Sequence, residues 1–374
     1  MSSSTVQELK KEKYDRFKEA LKLEKPDVTP VMLSGEPFFM KYAEPSAKIS
    51  DLVNRPLWAY EKVIEGIQKL SGVDVYAGLI GSYIQVSGAM FLTKMKLPGR
   101  ELPEDALFQY DEVGLMTVED YDTIIDKGWN AFYSDFVVRR LGYKPEEFEK
   151  SKELLAAMMP KVEEAGINLL SGAASGMLFD AVCMGRGMSN FMKDLHRMPD
   201  KILEVFDAAM AEMTDDLKKQ LDEAKPFITA VIPANHASND FISRKMFEKF
   251  AWPMYKTFAD IAIDRGSNVY FHMDSRWDDN LDFFLDFPKG RCIFDLDGAT
   301  DIYKVKKVLG GRMCITGDVS PSSLALGTPE DVYNYSTKLI RDIGPEGFIL
   351  SSGCSIPPNA KPENVEAMVA AVRG

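Results

Sequence analysis

The sequence predicts an α/β protein: a (β/α)8 TIM barrel with an N-terminal helical extension and an insert in its first half. Three observations carry that expectation. Between Asn268 and Cys354 four short apolar runs follow one another: NVYFHMD, RCIFDLDG, RMCITGDVS and GFILSSGC. Runs of this length, rich in Val, Ile and Phe and closed by Gly, Asp or Ser, read as buried parallel strands. The stretches between them (LDFFLDF, TDIYKVKKVLG and PEDVYNYSTKLIRDIG) supply the helical half of the rhythm. Each run also ends on a group with chemistry: His272 and Asp274, Asp295 and Asp297, Asp318, then Cys354. Polar groups gathered at the carboxyl ends of successive parallel strands mark the working face of such a barrel.

From Val6 to Leu23, charged residues alternate with Leu9, Tyr14, Phe17 and Leu21 at helical spacing, so a helix over about 1–27 leads into the domain. After the turn KPDVTP, VMLS is the first strand, with Glu36 at its carboxyl end as a substrate-binding carboxylate or an ordinary loop charge. A helix over 56–70 leads to VDVYAGLIGSYIQVSGAMF, which is expected to hold the second strand and a hairpin. The Pro/Gly-rich LPGRELPED and a helical stretch follow, so residues from about 85 to 160 read as a cap-like insert within one domain spanning 1–374. NLLSGAASG reads as a strand entering a small-residue loop, where glycines permit close approach of a ligand or simply tight packing. A helix over 199–223 precedes TAVIPANHASND, a strand ending on Asn235, His236 and Asp240. Eight strands are expected near 30–34, 75–80, 167–172, 228–234, 268–273, 291–296, 312–317 and 347–351.

The chain has 374 residues, 45% of them hydrophobic, enough for a sizeable core. A formal net charge of −12 argues against nucleic acid as a partner, since phosphate binding needs a basic footprint. Four cysteines lie far apart with no CxxC, as in a reducing cytoplasm. The polar N-terminal stretch is neither signal peptide nor anchor, and no apolar run reaches the roughly 18–20 residues that span a bilayer. A soluble cytoplasmic protein is the expectation, with a homodimer left open.

Only three histidines exist. His196 lies among charges on a helix, where a surface role fits. His236 follows a strand end, where catalysis and structural hydrogen bonding fit equally. His272 closes an apolar strand two residues before Asp274, so both side chains point to one face. With Cys354 on the eighth strand they make a candidate metal site. Imidazole, carboxylate and thiolate all suit zinc, and three ligands leave one position open. The alternative is that Asp274 pairs with Arg276 and Cys354 merely packs. Asp240, Asp295, Asp297 and Asp318 are candidates for acid/base work, for holding a metal ligand or for binding substrate hydroxyls. Twenty Met and twenty-two Phe point to an apolar interior. Phe38 in FFMKY and Met177 in GMLFDAVCMGRGM are candidates to line an aromatic-accepting pocket, or plain core.

The run GGRMCITGDVSPSSLALGTPEDVYNYSTKLIRDIGPEGFILSSGCSIPPNAKPENVEAMVAAV resembles the C-terminal third of the uroporphyrinogen decarboxylase superfamily. DRFKEALKLEKPDVTPVM and RGMSNFMKDLHRMPDKI share the likeness. The resemblance implies a (β/α)8 barrel and one of two chemistries. True decarboxylases carry an RQAGRY-type motif after the first strand, whose arginine handles substrate carboxylates. Here SGEPFFMKYAEP stands in that place, with no arginine. The other branch consists of corrinoid-protein methyltransferases, with H-x-C on the fifth strand and Cys on the eighth binding zinc. This chain matches at His272 and Cys354, and has Asp274 where the first Cys would be.

That resemblance implies a methyl donor of O-methyl type, such as a methoxylated aromatic, because a carboxylate makes zinc a harder Lewis acid suited to oxygen. The acceptor would be the Co(I) corrinoid of a separate partner protein, with no corrinoid held tightly here. Asp240, Asp295, Asp297 and His236 are the candidate catalytic groups. Glu36, Phe38, Met177, Asn235 and Asp318 are candidates to contact substrate. A decarboxylase acting on another acid, using Arg186 and Arg276, is the rival. Methyl transfer from a thiol or a methylamine-derived carrier is a second one.

Overall fold

The fold, a computed structural model, describes residues 3–78, 80–82, 84–111, 113–170, 173–175, 177–231 and 235–373. Its strands are β1 (Val31–Leu33), β2 (Val75–Tyr76), β3 (Lys94–Lys96), β4 (Gln109–Asp111), β5 (Ala173–Ser175), β6 (Ile228–Val231), β7 (Asn268–Met273), β8 (Cys292–Leu296), β9 (Cys314–Val319) and β10 (Phe348–Ser352). Eight of them form one parallel sheet in the order β2-β1-β10-β9-β8-β7-β6-β5. The ring closes through a parallel bridge between Tyr76 and Leu169, just ahead of β5, with Tyr76 N–H donating to Asn168 (2.8 Å) and Leu170 N–H to Tyr76 (3.0 Å). The architecture is the (β/α)8 barrel that the strand rhythm predicts.

The first half departs from the expected boundaries. The third strand is split: Leu169 pairs with β2, whereas Ala173–Ser175 pair with β6. Barrel stagger accounts for this, because each strand meets its two neighbours at different heights. Residues 171–172 of the expected third strand, 79 of the second and 232–234 of the fourth lie outside the described residues. The second strand ends at Tyr76 because Gly78 turns against Glu36; a Cβ there would lie 2.4 Å from Glu36 Oε1. Among the described residues of 73–91 no hairpin forms, and Ile84–Phe91 is a 3-10 helix instead. The antiparallel pair of this region is β3 with β4, further along. With helices Glu119–Lys127 and Trp129–Arg139 it interrupts the βα alternation between β2 and β5.

Strand alternation separates two cores. Outward-facing residues such as Val269, Phe271, Cys292, Phe294, Ile315 and Leu350 pack under the helices. Inward-facing Met32, Val75, Leu170, Ile228, Tyr270, Ile293, Cys314 and Ile349 fill the barrel with Phe17, Ala20 and Leu21 of helix Ser3–Leu21. The N-terminal helix therefore plugs the amino-terminal end of the barrel. Arg16 anchors it, bonding Asp27 (2.6 Å) and the buried Asp74 (2.6 Å), whose other oxygen accepts the β1 amide of Val31 (2.8 Å). Among the described residues no helix is long and apolar enough to cross a membrane.

Because Phe17 is fully buried in this plug, Phe17→Ala should lower stability by about 3–5 kcal/mol. A urea unfolding midpoint unchanged from wild type would show that the helix only rests on the barrel.

Candidate metal centre

On β7 the inward set is Tyr270 and His272, and Asp274 continues it past the strand end. Parallel pairing puts His272 opposite Asp295 of β8. On β10 the chain leaves the barrel at Ser352, two residues before Cys354. These registers bring one ligand atom each from His272, Asp274 and Cys354 to within 4.8 Å of one another. Cys354 is exposed, whereas Cys183, Cys292 and Cys314 are buried. The chemistry thus sits at the carboxyl-terminal mouth. A cavity of about 440 Å³ at the opposite end, lined by Lys13, Arg16, Asp74 and Arg373, includes none of these residues.

His272 is fixed from behind. Its Nδ1 lies 2.6 Å from Asp295 Oδ2, and Nε2 lies 3.4 Å from Asp274 Oδ1. The Tyr270 hydroxyl donates to the same Asp295 oxygen. A carboxylate on one ring nitrogen assigns the proton to Nδ1 and leaves Nε2 for a metal. Burial works against charge on His272, but the hydrogen bonds it donates to Asp274 and Asp295 outweigh that and raise its pKa well above the ordinary value. Burial pushes the Asp295 carboxyl up, with His272 opposing. For Asp274 burial is overcome by the bond to His272, its charge and the amide of Asn235, so its pKa falls. Although Cys354 as a residue is exposed, neighbouring atoms desolvate its thiol, and this and the charge of Asp274 raise its pKa.

The two loops that carry Asp274 and Cys354 are braced by the neighbouring strand end. Asp297 accepts from the amides of Ser275 (2.7 Å) and Ala299 (2.8 Å), holding a turn in which Ser275 takes φ +68°. Trp277 Nε1 donates to the Asp274 carbonyl (2.6 Å), and the Trp277 amide to Thr300 Oγ1 (2.9 Å). On the other side, Ser352 Oγ donates to the Cys354 carbonyl (2.6 Å). Gly353 lies against β8: a Cβ there would sit 2.4 Å from the Asp297 carbonyl oxygen. That contact is why the residue before Cys354 has no side chain.

The remaining candidates occupy distinct places. Asp240 is exposed and pairs with Arg276 (3.1 Å), so Arg276 serves Asp240 rather than Asp274. Asp318 is buried, accepts from Tyr335 (2.7 Å) and is raised by burial. Asp297 is likewise raised by burial. Asn235 reaches Asp274, while Glu36 lies beside Gly78 near Tyr76. Phe38 is 2% exposed and stacks on Tyr42, so it packs in the core. Met177 is half-buried at the start of helix Leu178–Arg186. His236 Nδ1 meets Asp180 at 2.6 Å.

Two residues of this network escape the sequence reading. Tyr270 is the next inward residue below His272, so the alternation that pairs His272 with Asp274 reaches it too. Asp180 stands in the apolar run LFDAVCM, where a lone acid signals a buried partner.

The residues fit zinc: a thiol, a carboxylate and an imidazole with its tautomer set converge with one side open to the mouth. Among the described residues buried Asp295 also has one oxygen, Oδ1, without a hydrogen-bond partner, leaving negative charge that a cation would balance. Asp295→Asn should therefore weaken zinc about 10–100-fold, read by competition with a chromophoric chelator; unchanged affinity would deny Asp295 this role. Gly353→Ala should do the same by displacing Cys354.

A family model described as "Uroporphyrinogen decarboxylase (URO-D)" matches residues 144–374. A uroporphyrinogen decarboxylase of Chlorobaculum parvum is 24% identical over 96% of this chain and 97% of its own length. One from Chlorobium luteolum is 24% identical over 63% of this chain, and the match spans 65% of that protein, just under two thirds. Among solved structures, a methyltransferase from Methanosarcina mazei superposes with a TM-score of 0.66 at 18% identity, covering 96% of this chain and 97% of that one. The superposition shows the same fold. Since the family match takes in more than half of the sequence, the chain belongs to the uroporphyrinogen decarboxylase (URO-D) family.

Proposed function

We propose that this chain is a methyltransferase that takes a methyl group from an O-methyl donor, best a methoxylated aromatic, and passes it to the Co(I) corrinoid of a separate protein. The observation that carries this reading is the convergence of His272, Asp274 and Cys354 within 4.8 Å. Zinc held there would supply Lewis acidity to the oxygen that leaves. The barrel shared with a Methanosarcina mazei methyltransferase is consistent with it.

The chain's own residues supply alignment and proton control. Asp295 holds the Nδ1 proton of His272. Asp297 and Trp277 hold the Asp274 turn, so that the carboxylate needs little reorganisation during transfer. His236 is the candidate proton carrier: Asp180 holds its Nδ1, which orients the ring for proton exchange with the departing oxygen. Phe241, 43% exposed, lies 5.2 Å from the His236 ring and offers an aromatic face where an aryl ether would lie. A phenolate leaves more readily than an alkoxide, which favours aryl ethers over alkyl ones.

The decarboxylase alternative needs cations for substrate carboxylates. Arg186 is committed to the buried Asp194 (2.9 Å), and Arg276 to Asp240 (3.1 Å). Both guanidinium groups therefore have anionic partners already.

Protein purified without oxygen should carry about one zinc per chain, lost in Cys354→Ala. The wild type should demethylate a methoxyaromatic only when a Co(I) corrinoid is present. Metal-free wild type that nevertheless decarboxylates a porphyrinogen acid would overturn the reading.

A further inference from the structure

We infer that Asp180 is a positioning residue that ties the proton-carrying histidine and the metal-ligating carboxylate to one buried charge. This deepens the methyltransferase reading and rests on it. Asp180 lies in the first turn of helix Leu178–Arg186, after the third barrel strand, and is 5% exposed. Among the described residues it bonds to the loop after β6. Oδ2 accepts the Asn235 amide (2.9 Å), while Oδ1 accepts the His236 amide (3.2 Å) and faces His236 Nδ1 (2.6 Å).

The two residues so held point to different parts of the chemistry. Asn235 stands beside Asp274, one of the three candidate ligands. His236 has its tautomer set by the same carboxylate that holds its backbone. A buried carboxylate with both oxygens on backbone amides is a rigid anchor, since each bond to a charged acceptor is stronger than a neutral one. The loop continues into Asn239, whose amide donates to the Arg276 carbonyl (2.8 Å) and whose Oδ1 accepts the Asp279 amide (3.0 Å). The β6 loop is thus fastened to the β7 loop that carries Asp274, and Asp180 fastens it to the helix behind.

Asp180 therefore acts through others: through the β6 loop, which Asn239 fastens to the β7 loop, on the geometry of Asp274, and through His236 on proton transfer. The two arms separate by substitution. Asn235→Ala should weaken zinc about 10-fold with His236 left in place. His236→Ala should leave zinc affinity unchanged and lower kcat at constant KM. Asp180→Asn, which keeps size and removes the charge, should do both. In cobalt(II)-substituted protein the visible absorption bands should shift in Asn235→Ala and Asp180→Asn and stay in place in His236→Ala. A loss confined to stability would leave those bands alone.

Asp180→Asn that binds zinc as tightly as wild type, with an unchanged cobalt spectrum, would overturn the inference. If Asp180→Asn does not fold, Asn235→Ala decides alone: wild-type zinc affinity in that variant would overturn it equally. A wild type that binds no zinc would instead sink the underlying functional reading.

Discussion

The hydrogen bond between His272 Nδ1 and Asp295 is the interaction on which the rest of this site depends. It exists because β7 and β8 run parallel in a register that sets the two residues side by side. Without that carboxylate the imidazole has no fixed tautomer, and Nε2 has no assigned task. With it, a carboxyl whose pKa burial raises is held against a histidine that also meets Asp274. Desolvated charges of this kind persist only where geometry and partners compensate them. Tyr270 adds a second donor to the same oxygen, and Oδ1 remains for a cation's field.

Around that bond, the barrel divides labour along its axis. The lower layers are apolar and closed by Phe17, Ala20 and Leu21, so the fold gets its stability at the end away from chemistry. The upper layers give up apolar packing to Asp295, Thr316, Ser351 and Asp318. Each strand-end acid is engaged by a specific donor, so the acids work mainly by fixing loops. Asp297 holds the turn after Asp274, Asp318 accepts from Tyr335, and Asp180 secures the β6 loop. Two ligands come from one strand and the third from a strand three positions along the sheet, which is how a parallel barrel assembles a centre from distant sequence.

Much of this was legible in the sequence. The stretch from Asn268 onward reads cleanly because its strands are five or six residues long and buried but for His272, and periodicity is strong there. The pairing of His272 with Asp274 followed from strand alternation. Short β1, β2 and β5, of two or three residues each, carry too little pattern, and so the continuation of the third strand to Ser175 and the antiparallel pair beyond β2 were not placed from the sequence. Partner choice was illegible for a different reason. Whether Arg276 meets Asp274 or Asp240 depends on loop conformation, and Phe38 looks alike in sequence whether it lines a pocket or packs on Tyr42. Asp180 needed the three-dimensional path of the β6 loop, although a lone acid in an apolar run gave a hint.

The central claim is that His272, Asp274 and Cys354 hold zinc together. X-ray absorption at the zinc edge of the anaerobically purified protein tests it most directly. The account predicts a single sulfur at about 2.3 Å with nitrogen and oxygen ligands at about 2.0–2.2 Å, and loss of the sulfur shell in Cys354→Ser. A zinc shell with no sulfur in the wild type, or with more than one, would contradict it.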